Sequence, residues 1–177
     1  SGSVLISGTP TQGQTLSTSN TIVDPDGVGT ITYHWLRNGV DTGSTGTSYL
    51  LAEADVGAVM SVLATYTDGH GAAEAVSSAN TAAVANVNDL PTGSVVVSGT
   101  ATQGQTLSAN NSIADLDGLG PVTYHWLRNG VDTGSTGTTY LLVEADVGAT
   151  MTARATYIDG HGTVESVDSA ATAVVAN

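Results

Sequence analysis

The chain has 177 residues, with 16 acidic residues against three arginines, no lysine and no cysteine, and a formal net charge of −13. This charge excludes attraction to nucleic acid or anionic membrane surfaces, which needs cations to displace condensed counterions. The missing cysteine excludes disulfides and thiolate chemistry.

Abundant Thr, Ser and Val beside 22 glycines make a folded β-type composition. The first residues, SGSVLISGTP, lack the basic and apolar regions of a signal peptide, so the segment reads as a piece of something longer. No apolar run reaches the about 18 residues of a spanning helix, so direct membrane insertion is not expected.

In chain order, short β-branched runs bounded by Gly, Asn and Asp predict strands near 3–7, 14–22, 30–37, 47–51, 59–67 and 73–84. One helical turn is expected at Ala52–Val56. Alternation is clearest at MSVLATY, where Met60, Val62, Ala64 and Tyr66 share the face expected to be buried. If Trp35 points into the core, His34 points out.

From Thr92 the same words begin again. Aligning each residue with the one 91 positions later needs no gap, and roughly seven in ten positions are identical. GTPTQGQTL (8–16) meets GTATQGQTL (99–107), and the fifteen residues from Tyr33 recur unchanged from Tyr124. EADVGAVM (53–60) meets EADVGATM, and YTDGHG (66–71) meets YIDGHG. A period near 90 suits a self-contained sandwich rather than a solenoid unit. The expected organisation is repeat 1 over 1–88 and repeat 2 over 89–177, with a linker at about 86–91.

The Trp-bearing strand Tyr33–Arg37, the Asn38-Gly39 turn, the Tyr49-Leu50-Leu51 strand and the Asp55-Val56-Gly57 corner resemble an immunoglobulin-like domain. Neither copy has the strand cysteines of that family. The wider pattern, GTxTQGQTL…DxDG…YxW…ADVG…YxDGxG…NVND-P, resembles the tandem Ig-like or cadherin-like repeats of giant bacterial surface proteins, including extender regions of RTX-type adhesins. This resemblance implies an all-β chain of two tandem antiparallel sandwiches, extracellular or at the cell surface. It also implies neighbouring repeats of the same chain as partners and a monomeric spacer function.

Two sets of residues invite a chemical reading. His34, Arg37 and Asp41, repeated as His125, Arg128 and Asp132, contain catalytic residue types. No motif places a nucleophile beside either histidine, so no enzyme is expected. His70 and His161 lie in DGHG loops and read as exposed loop residues.

The acidic motifs carry more. D-x-D-G recurs at Asp24/Asp26 and Asp115/Asp117, E-A-D at Glu53/Asp55 and Glu144/Asp146, and D-G-H-G at Asp68 and Asp159. The linker N-V-N-D-L-P resembles a cadherin interdomain linker, with Asn86 in place of its first Asp. In a sandwich entered from one end, Glu53, Asp55, Asn88, Asp89, Asp115, Asp117 and Asp159 are expected to gather around Ca²⁺, which takes six to eight oxygen ligands. Asp24, Asp26 and Asp68 would form one terminal half-site, and Glu144, Asp146 and Asn177 the other. Ordinary turns with solvated acids remain open, as does Asp55 capping its own backbone. A sugar- or protein-binding module without an obligatory metal is the rival function.

Overall fold

The computed structural model describes all residues from 1 to 177. They form two compact units, Ser1–Val87 and Asn88–Asn177, so the division falls within the predicted linker. Each unit is an all-β sandwich of two antiparallel sheets.

In unit 1 the strands are β1 (Val4–Ser7), β2 (Thr15–Asn20), β3 (Thr32–Arg37), β4 (Val40–Thr45), β5 (Ser48–Leu50), β6 (Met60–Thr67) and β7 (Ala73–Ser77). One sheet has the order β1-β2-β5 and the other β4-β3-β6-β7. Unit 2 repeats this with β8 (Val95–Ser98), β9 (Thr106–Asn111), β10 (Thr123–Arg128), β11 (Val131–Thr136), β12 (Thr139–Leu141), β13 (Met151–Ile158) and β14 (Val164–Asp168). Its sheets run β8-β9-β12 and β11-β10-β13-β14. The only helical elements are single 3-10 turns at Glu53–Asp55 and Glu144–Asp146.

Period-2 alternation builds each core. Met60, Val62, Ala64 and Tyr66 on β6 all face inward, as do Met151, Ala153, Ala155 and Tyr157 on β13. Trp35 and Trp126 are fully buried, each against a tyrosine ring 5.5 Å away, Tyr49 or Tyr140. Each indole N–H donates to a carbonyl, that of Gly46 or Gly137, so the ring is buried without an unsatisfied donor.

Two predicted elements change. The segment 40–45 is a strand, paired with β3 through a tight turn in which Asn38 (φ 47°) and Gly39 (φ 81°) both adopt positive φ. Its register slips between His34 and Leu36, where a bulge re-aims the side chains. The last predicted strand stops at Ser77, and the chain then rejoins its unit by single bridges, Val59 to Ala83 and Val56 to Val84. No helix is long and apolar enough to cross a membrane.

Candidate functional site

At one end of each sandwich the β2–β3 and β6–β7 loops, or their counterparts in unit 2, meet. In unit 2 the Gly160 N–H donates to the Asp117 carbonyl at 2.9 Å, and in unit 1 Gly69 does the same to Asp26. A Cβ on Gly160 or Gly69 would collide with that carbonyl, so glycine is what lets the two acidic loops touch. DxDG and DGHG are therefore two halves of one feature.

Asp24 and Asp115 organise the first loop. Each accepts the backbone N–H two residues on, from Asp26 or Asp117, in an Asx turn. The second oxygen of each accepts a tyrosine hydroxyl, Tyr66 at 2.8 Å or Tyr157 at 2.5 Å. The Asp26 N–H, then the Tyr66 hydroxyl, hold the Asp24 carboxyl below its ordinary pKa. The hydrogen bond to Asp24 in turn pushes Tyr66 up to about 12.

Asp68 and Asp159 organise the second loop. In each, Oδ1 accepts two backbone N–H groups at 2.8 Å, from His70 and Ala72 or from His161 and Thr163. Desolvation is the largest influence on Asp159 and acts to raise its pKa. The N–H groups of Thr163 and His161 outweigh it, so the carboxyl sits below its ordinary value.

Unit 2 adds its own entering segment to this arrangement. The Asp89 N–H donates to Asp117 Oδ2 at 2.6 Å, and the Asn88 amide donates to Glu165 Oε1 at 2.7 Å. Thr92 bridges to Ala114 beside the same loop. Asp117 and Asp159 are buried, and Asp117 Oδ1 and Asp159 Oδ2 have no hydrogen-bond partner. His161 Nε2 stands 3.9 Å from Asp117 Oδ1, outside hydrogen-bond reach. Two buried carboxylate oxygens without partners are costly, and a hard cation is a chemically suitable partner for both. The acidic side chains offered at this end are Asp117 and Asp159, and Asp89 joins them through its backbone N–H.

The E-A-D motif behaves otherwise, and here the expected ligand set is corrected. Asp55 is completely buried inside unit 1. Its Oδ1 accepts Arg37 Nε at 2.7 Å and the Tyr49 hydroxyl at 3.2 Å, and its Oδ2 accepts the Ala52 N–H at 2.8 Å. Asp146 repeats the arrangement with Arg128, Tyr140 and Val143. Both carboxylates are neutralised by an arginine and bonded at each oxygen, so neither is left to ligate a metal. Arg37 and Arg128 were not anticipated as partners of these acids. Both lie on the Trp strand, 18 residues before their aspartates.

The remaining expected residues are placed as follows. Glu53 is half-buried in its 3-10 turn, whereas Glu144 and Asn177 are exposed. Asp24, Asp26 and Asp68 do share one end of unit 1, where Asp26 Oδ1 lies 3.3 Å from His70 Nδ1. His34 and His125 each contact the aspartate across the tight turn, Asp41 at 3.4 Å and Asp132 at 3.3 Å. Glu165, Tyr66 and Tyr157 were not anticipated. Cross-strand pairing of Tyr157 with Glu165 puts both on one face, which only the β13–β14 register reveals.

No family model matches the chain, and a comparison with curated proteins finds no relative.

Proposed function

We propose that this chain is a stretch of spacer: tandem immunoglobulin-like sandwiches that extend a large secreted or surface-anchored bacterial adhesin, stiffened by Ca²⁺ where one repeat follows another. The observation that carries the metal is the pair of buried oxygens without a hydrogen bond, Asp117 Oδ1 and Asp159 Oδ2, at the end of unit 2 that the linker enters. Asp117, Asp159 and Asp89 would hold the ion, and Asp115, bound to Tyr157, would position the loop. The three-plus-four strand order and its duplication support the immunoglobulin-like, length-building reading. The rival reading, a sugar- or protein-binding module, lacks an aromatic platform, because both tryptophans are buried and every tyrosine is buried or half-buried.

Calorimetric titration with calcium is the test, run beside small-angle scattering. Binding is expected, and Asp117→Asn or Asp159→Asn should weaken it at least about tenfold, since each deletes a charged ligand. Calcium at 100 times its Kd should stabilise the binding unit by about 2.7 kcal/mol. Mg²⁺ should substitute poorly because it keeps its waters in a tight octahedral shell. Identical scattering and melting with calcium and with chelator would leave a plain spacer without metal.

A further inference from the structure

We infer that Gln12 is a positioning residue: its side chain latches the chain as it leaves the first sandwich, so the domain holds its own exit whether or not an ion is bound. This rests on the spacer reading and deepens it, because a spacer's reach depends on how firmly each exit is held.

The latch is built on the TQG turn before β2. Thr11 bridges to Ala85, the Gln12 N–H donates to the Ala85 carbonyl at 3.0 Å, and the Ala85 N–H donates back to Pro10 at 2.9 Å. These bonds set the turn beside the departing chain. The Gln12 side chain then reaches two residues further, and its Oε1 accepts the Val87 N–H at 3.0 Å. Val87 is the last residue of unit 1 and half exposed, so its own burial does little to hold it. A carboxamide suits this role: it offers an acceptor without adding another charge to a chain at −13.

The second copy carries the same socket. Thr102 bridges to Ala176, the Gln103 N–H donates to the Ala176 carbonyl at 2.8 Å, and the Ala176 N–H donates to Ala101 at 2.9 Å. The 91-residue offset makes the counterpart of Val87 the residue that follows Asn177. The second socket provides a control inside a single molecule, because it is Gln12 that accepts the Val87 N–H and Gln103 belongs to the other unit.

The experiment is amide hydrogen exchange at Val87, followed by NMR on the whole chain, once in EDTA and once in calcium. Gln12→Met keeps the side-chain length and removes the acceptor. It should speed Val87 exchange about three- to tenfold, the range one ordinary hydrogen bond commands. Gln12→Glu keeps an acceptor oxygen and should restore protection, whereas Gln103→Met should leave Val87 unchanged. A valine fused after Asn177 should gain a protected amide that Gln103→Met then exposes. Unchanged Val87 exchange in Gln12→Met would overturn the inference, as would a Gln103→Met effect of equal size. Because the latch must act in EDTA, failure of the calcium reading leaves this result standing, and the reverse also holds.

Discussion

The two units are nearly the same words in different circumstances, and their differences separate what a repeat needs from what its position supplies. Asp26 and Asp117 occupy the same place in the same loop, yet the Asp26 side chain is 57% exposed and that of Asp117 is 0% exposed. Asp117 accepts the N–H of Asp89, a residue of the segment that enters unit 2. An acidic loop that is an ordinary solvated turn in one copy becomes a buried, under-satisfied carboxylate in the other. Asp55 and Asp146, by contrast, have matching arginine, tyrosine and backbone partners, because those partners come from inside each repeat.

Some sequence differences between the copies fall in opposed cross-strand pairs. Leu63 faces Ser77 across β6 and β7, and both positions change together to Arg154 and Asp168, which form a two-pronged ion pair at 2.7 and 2.8 Å. Thr67 and Ala73 likewise become Ile158 and Val164. A sheet tolerates divergence most easily when opposed residues change as a pair.

The largest expected effect would break the equivalence of the two cores if it failed. Trp35→Ala and Trp126→Ala should each cost about 3–5 kcal/mol, and by the same amount in their own units. Calorimetric unfolding should show one transition displaced and the other unmoved. Solvent-exposed tryptophan emission from the native chain would contradict both burials.

Next comes the buried ion pair. Asp55→Ala strands the Arg37 charge, a loss of about 3–5 kcal/mol for a fully buried pair. The Arg37 side chain is 36% exposed and recovers some hydration, so about 3 kcal/mol is expected. Asp146→Ala should match it, and denaturant melts of both variants should shift equally with calcium or with chelator. A calcium-dependent shift at Asp55 would return it to the ligand set.

The smallest effects sharpen the comparison. Exchanging the pair Arg154→Leu with Asp168→Ser gives unit 2 the residues of unit 1, and stability should change by only about 0.2–1 kcal/mol, because the pair is solvent-screened. Its Arg154 hydrogen bond holds Asp168 below the ordinary carboxylate pKa. The contribution is therefore present above about pH 4 and lost as pH falls through the lowered value. Acid melts of unit 2 should lose this increment, and the double variant should not show it. High salt should shrink the difference between the two proteins at neutral pH.

Much of this molecule was legible in its residues. The gapless repeat, the buried Met60–Tyr66 face and the sheltered tryptophans follow from periodicity, which reports directly on which side of a strand faces the core. The strand at Val40–Thr45 was not legible, since its polar, glycine-bearing run has no apolar alternation and exists by pairing with β3. Tertiary structure alone decided the fate of the acids. Arg37 meets Asp55 across 18 residues and Tyr66 meets Asp24 across 42, distances over which a local pattern holds no information about register. Spacing in the sequence could say that aspartates cluster at the loops. Which of them an arginine neutralises, and which stay buried with an oxygen unsatisfied, depends on the backbone that brings their partners within 3 Å or fails to.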